Sequence, residues 1–106
     1  MISIIGAGPV GNYLAYLLSK SGRKVQVFEK NNEIGKPIQC TGIVSNHFKK
    51  ILKLNKKYFV NKINKVKIHS PNNSFLTIKI KNNFILDREK FAIYLANKAK
   101  KKGAKF

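Results

Sequence analysis

Residues 4–11 read IIGAGPVG, and eighteen positions beyond Gly11 the stretch VFEK places Glu29 in a chain that has only four acidic residues. Glycines 6, 8 and 11 have the G-x-G-x-x-G spacing of a dinucleotide turn. In such a turn Gly6 lets the chain leave a strand sharply, Gly8 lets a pyrophosphate approach the backbone, and Gly11 lets the following helix pack closely on the sheet. Pro9 lacks an N–H and suits the first helical turn. The N–H groups left unpaired there, with the positive end of the helix dipole, attract phosphate. Glu29, with Lys30 beside it, stands about where an acid accepts hydrogen bonds from a ribose diol. An acid at that point disfavours a 2′-phosphate, so the pattern points to FAD or NAD ahead of NADP.

The motif has this meaning only in the right surroundings, and the neighbouring sequence supplies them. Ile2–Ile5 is a short apolar run of the kind that forms a buried parallel strand. From Pro9, apolar Val10, Leu14, Leu17 and Leu18 recur at helical spacing, and Gly22 stands where a left-handed cap would close the helix. Ala15, four residues beyond Gly11, keeps the next helix–strand contact small. The stretch KVQVFE reads as a second strand, so strand, helix and strand fit within thirty residues, the size of a βαβ unit.

Residues 31–44, NNEIGKPIQCTGIV, have no clear period and read as an ordered loop, long enough to be functional. Ser45 is expected to cap a short basic helix with Phe48, Ile51 and Leu52 on one face. Beyond Ile63 the period changes to two: INKVKIHS and SFLTIKIK predict an antiparallel ribbon around the turn PNN, and FIL predicts a third short strand after NN. Asp87 is then placed to cap a last helix, with Glu89 in its first turn and Phe91, Leu95 and Ala99 on one face. Four lysines at 98, 100, 101 and 102 sit at the negative end of that helix, and Gly103 closes it. A βαβ architecture enters its next parallel strand at this point, where Ala104, Lys105 and Phe106 end the sequence. The expectation is therefore an α/β fold: a Rossmann-like βαβ unit with a small antiparallel ribbon and a following helix, an incomplete domain from the N-terminal part of a longer protein.

The chain has 106 residues and a formal charge of +18, room for one small domain with a modest core. Such a charge suits nucleic acid or an anionic membrane surface. The basic residues, however, are twenty Lys and two Arg spread along most of the chain. Arg is the residue favoured for bidentate phosphate and base contacts, so specific nucleic-acid binding is not the first reading. One cysteine, Cys40, excludes an internal disulfide and a cysteine-based zinc site. His47 and His69 have no acidic or cysteine partners at ligand spacing, so no metal is expected. No apolar run approaches the roughly 18 to 20 residues of a membrane span, and the N-terminus lacks a basic region before its apolar residues. The expected location is the cytoplasm.

Three further stretches, in order, carry a resemblance: NNEIGKPIQCTGIVS after the acidic strand end, IHSPNNSF in the ribbon, and FILDREKFAIYLANKAKKKGAKF. Together with the glycine motif they resemble the N-terminal region of the archaeal-type geranylgeranyl reductase family. These are FAD-dependent flavoproteins that hydrogenate the prenyl chains of ether lipids. The likeness is specific in Pro37-x-x-Cys40 and in Asp87-Arg88-x-x-Phe91. It implies that Val10 and Gly11 lie against the FAD pyrophosphate and that Glu29 holds the adenosine ribose. Cys40, Thr41, Gly42 and Ile43 would approach the flavin side, and Arg88 would contact FAD from its helix start, where a guanidinium fork suits a phosphate or ribityl oxygen. Ala92 departs from the pattern, since the family usually has Asp there.

The resemblance also implies an isoprenoid lipid substrate, a peripheral membrane contact and a separate electron donor. The family's later FAD segment and its substrate-binding domain lie beyond these 106 residues, so the stretch is expected to be inactive by itself. A flavin hydroxylase, an NAD-linked enzyme, or a basic protein binding nucleic acid or membrane remains the alternative reading.

Overall fold

In the computed structural model, which describes residues 1–106, the chain forms two compact units. The first comprises residues 1–40 with 88–106, and the second residues 41–87. The first unit begins with β1 (Ile2–Ile5), α1 (Pro9–Lys20) and β2 (Val25–Phe28). The two strands are parallel, with Ile4 opposite Val27, and Ile4, Val25 and Val27 are buried together with Ala15 of α1. Gly22 at φ +83° ends α1. Its N–H and that of Arg23 return to the carbonyls of Ser19 and Leu18, each at 3.0 Å, which satisfies the last turn.

Most of the apolar stripe of α1 does not face the core; of its members only Leu18 packs against it. Val10 is 83% exposed and Leu14 and Leu17 are also open to solvent, whereas Asn12, Ala15 and Ser19 are buried. The reason lies in the last helix, α3 (Arg88–Lys101), which packs against α1. Ala15 of α1 and Ala92, Ala96 and Ala99 of α3 are all almost fully buried, and helices with such small facing side chains can approach closely. Phe91, Leu95 and Ala99 lie on the buried face of α3, as the spacing predicts.

Gly103 at φ +97° closes α3, and the chain then joins the sheet. Val27 N–H donates to Lys105 O at 2.7 Å and Lys105 N–H to Val25 O at 3.0 Å, a parallel bridge opposite Gln26. The bridge lies where the βαβ pattern places a parallel neighbour of β2.

The second unit is an antiparallel sheet with one turn of helix: β3 (Ile43–Val44), α2 (Phe48–Ile51), β4 (Phe59–His69) and β5 (Phe75–Leu86), in the order β3-β5-β4. Tyr58, Phe84 and Leu86 form its buried centre. The Tyr58 hydroxyl donates to Lys53 O, and the Phe48 ring meets Tyr58 edge-on at 6.3 Å. The turn over PNN is present, with Asn73 at φ +67° and Ser70 N–H donating to Ser74 O at 2.8 Å.

Three details differ from the sequence expectation. The end of the 31–44 loop is β3, because Ile43 and Val44 pair with Ile85 and Phe84. The segment FIL is the end of β5 and not a separate strand. Asn82 takes φ +55° and the pairing jumps from Ile63–Asn83 to Lys65–Lys79, so a bulge absorbs the turn signal. Ser45 does not cap α2, since its carbonyl accepts the Phe48 N–H at 3.0 Å and His47 holds the cap position. His69 stacks obliquely on Phe75, 5.7 Å between ring centres. No helix is long and apolar enough to cross a membrane.

Candidate cofactor site

The three motif glycines do different work. Gly6 takes φ +98°, a left-handed turn that only glycine adopts without strain. At Gly11 an added Cβ would lie 2.1 Å from the Gly6 carbonyl oxygen and 3.4 Å from Ile4 Cγ2, so no side chain fits between α1 and the strand end. Gly8 has an ordinary extended backbone, φ −74° and ψ 176°, at the N-cap of α1, with Pro9 following. A Cβ there would meet no protein atom within 4 Å. The space beside Gly8 is therefore open to a ligand.

Between these glycines Ala7 is held at both ends. Its N–H donates to Glu29 Oε2 at 2.8 Å, and its carbonyl accepts from Asn12 Nδ2 at 2.8 Å. The second Glu29 oxygen, Oε1, accepts the Asn31 N–H at 2.9 Å. These N–H groups, that of Asn31 first and that of Ala7 second, hold the Glu29 carboxyl below the ordinary glutamate value. Each carboxylate oxygen can accept more than one hydrogen bond, so the group retains capacity for ligand hydroxyls.

The loop after β2 folds over the start of α3. Asn31 Nδ2 donates to Lys36 O at 3.0 Å, and the Lys36–Pro37 peptide is cis. Gly35, at φ +86°, lies so close to α3 that a Cβ would be 2.9 Å from Glu89 Cα. Lys36 Nζ reaches Glu33 at 2.9 Å and Glu89 at 3.8 Å. The Glu33 pair is exposed and the Glu89 pair half-buried, and they orient the loop more than they stabilise it.

Turn, strand end, loop and helix start enclose a cleft of about 390 Å³, within the range of small-molecule sites. Ala7, Gly8 and Pro9 line one side, Glu29, Lys30 and Asn31 the strand end, residues 35–40 the loop side, and Arg88 and Ala92 the helix side. Arg88 is the first residue of α3 and makes no salt bridge. A cation at the positive end of a helix is unfavourable without an anion, so turn and helix both favour negative charge in the cleft.

Of the residues singled out in the sequence, the cleft brings together Gly8, Pro9, Glu29, Lys30, Cys40 and Arg88. Gly6 and Gly11 shape the turn from behind. Val10 and Gly11 do not line the cleft, because Val10 projects into solvent and Gly11 packs inward on Gly6. Cys40 forms no disulfide and is exposed. Thr41, Gly42 and Ile43 belong to the second unit, where Gly42 O accepts the Leu86 N–H at 2.9 Å. Asn12 escaped the sequence reading, which followed the apolar stripe of α1. The available signal was the small-residue face Gly8, Ala15 and Ser19 on which it lies.

Comparison with known proteins fits this geometry. Residues 4–49 match the family described as an NAD(P)-binding Rossmann-like domain. The digeranylgeranylglycerophospholipid reductase of Methanocaldococcus jannaschii is 31% identical over 106 residues, covering 98% of this chain and 27% of the relative. The chain is homologous to part of these reductases. A second such reductase, from Methanococcoides burtonii, is 32% identical over 94 residues, 83% of this chain and 23% of its own length. The crystal structure of a geranylgeranyl bacteriochlorophyll reductase-like protein from Thermoplasma acidophilum superposes with a TM-score of 0.82 at 27% identity, covering 98% of this chain and 28% of that one. The flavin-dependent brominase Bmp2, at 22% identity and a TM-score of 0.69, shares the fold. The chain spans about a quarter of the length of the reductases it matches.

Proposed function

We propose that residues 1–106 form the adenosine-diphosphate end of an FAD site, and that the chain works as part of an FAD-dependent reductase that saturates isoprenoid double bonds of membrane lipids. The observation that carries the reading is the convergence of Gly8, Glu29 and Arg88, from three separate elements, on one cleft. The residues fit the group: the open space at Gly8 admits a diphosphate, Glu29 has acceptor capacity for a ribose, and Arg88 has no protein carboxylate to neutralise it. The names of the relatives support the lipid substrate class.

In this reading the bound flavin supplies the hydride chemistry. The chain's own residues bind and orient. The Gly8 backbone and the N-terminus of α1 face the pyrophosphate, Glu29 takes the ribose hydroxyls, and Arg88 adds a charged fork from α3. Cys40, on the loop side of the cleft, contacts the flavin half. Reduction of a carbon–carbon double bond consumes electrons, so a separate donor must recharge the flavin. A lipid substrate also implies a peripheral membrane contact.

The test is a hybrid in which residues 1–106 replace the aligned region of the M. jannaschii reductase. The reading expects a yellow protein that retains FAD through purification and reduces geranylgeranyl lipid. A folded hybrid that stays colourless with excess FAD contradicts it.

A further inference from the structure

Asn12 is the one large polar side chain fully buried in the first unit, at 0% exposure. A buried amide is costly unless hydrogen-bonded, and this one is only partly satisfied. Nδ2 donates to Ala7 O at 2.8 Å and to Ala92 O at 2.9 Å, while Oδ1 has no donor. An apolar side chain would avoid that cost. What the amide provides is a hold on two carbonyls from opposite sides of the cleft, since Ala7 and Ala92 both line it. The Asn12 backbone adds a third hold, its N–H donating to Gly8 O at 2.9 Å.

The hold on Ala7 has a directional consequence. The only cis peptide is Lys36–Pro37, so the Ala7–Gly8 peptide is trans and its N–H points opposite to its C=O. With the Ala7 carbonyl turned inward to buried Asn12, the Gly8 N–H is turned outward, at a residue that lines the cleft. Glu29 prevents the Ala7 residue from rotating away by taking its N–H.

We infer that Asn12 is a positioning residue of the nucleotide site: its side-chain amide sets the Ala7–Gly8 peptide so that the Gly8 N–H meets a ligand diphosphate, and it ties that peptide to the Arg88-bearing helix α3. This rests on the dinucleotide reading above and assigns a role to a residue that touches no ligand.

The test is a titration of the ¹⁵N-labelled 106-residue chain and its Asn12→Leu variant with ADP and with adenosine. In the wild type the Gly8 amide resonance should move with ADP and stay with adenosine. In Asn12→Leu, ADP should bind about tenfold more weakly, as for loss of one well-aligned hydrogen bond to a charged group. Adenosine affinity should be unchanged and the Gly8 response lost. A structural role alone would weaken both ligands equally or lower stability with the ADP-to-adenosine ratio intact, and either result overturns the inference. Should the variant fail to fold, the wild type still decides: a Gly8 amide indifferent to bound ADP rejects the role of Asn12. A wild-type chain that binds no ADP removes the nucleotide reading and this inference with it, whereas ADP binding with an unaltered ratio in Asn12→Leu removes the inference alone.

Discussion

The Glu29 carboxylate accepts the Ala7 N–H at 2.8 Å across 22 residues of sequence. The bond fastens the end of β2 to the glycine turn, so the acid we propose for the ribose also holds the turn we propose for the phosphate. Because the partners are two backbone N–H groups, the bonds are strongest when the carboxyl is ionised.

A pH dependence of stability follows. The folded-state value of Glu29 lies below its unfolded value, so its contribution is complete above the unfolded value and is lost as pH falls through the folded one. Urea midpoints of the wild type should decline as the solution is acidified below the ordinary glutamate range. Glu29→Gln, which keeps one acceptor oxygen and has no charge to lose, should start lower at neutral pH and show a flatter acid limb. Parallel curves for the two proteins would mean that the Ala7 and Asn31 bonds do not depend on the charge.

Gly8 and Gly11 should respond in opposite ways to the same change. Gly11→Ala forces a Cβ to within 2.1 Å of a backbone oxygen, which should cost about 3 kcal/mol or more in denaturation measurements. Gly8→Ala has an allowed backbone and open space. It should leave stability unchanged or raise it by about 0.4–1 kcal/mol, and weaken ADP binding at least about tenfold by occupying the ligand's space. Unchanged ADP affinity in folded Gly8→Ala would remove Gly8 from the site.

Ser19 is 7% exposed and its Oγ has no partner. Ser19→Ala removes an unsatisfied hydroxyl and favours the helix, so it should stabilise the chain by about 1 kcal/mol in chemical denaturation. A loss of stability of similar size would show that the hydroxyl is engaged in solution.

The βαβ unit could be read from sequence because its signals are local: an apolar run, a glycine-spaced turn, a left-handed cap at Gly22. Even the return of Lys105 to the sheet was implied by where α3 ends. The buried face of α1 was legible only at Gly11 and Ala15, because how the rest of the helix is covered depends on α3, which lies some seventy residues later. The apolar stripe at Val10, Leu14 and Leu17 pointed the wrong way, and the polar Asn12 proved to be the interior residue. The continuity of β5 through Asn82 was hidden for a similar reason, since a bulge is set by the partner strand and its local signature is that of a turn. In the site, Glu29 and Arg88 could be placed from motif and helix start. That Glu29 holds Ala7 required coordinates.

The most direct test of the central claim is calorimetric titration of the 106-residue chain with ADP and with 2′,5′-ADP, beside Gly8→Val. An adenosine-diphosphate site with Glu29 at its ribose predicts one equivalent of ADP bound, clearly weaker binding of 2′,5′-ADP, and loss of ADP binding in Gly8→Val. Equal or tighter binding of 2′,5′-ADP, or binding that survives Gly8→Val, would assign the affinity to the lysine-rich surface and contradict the account.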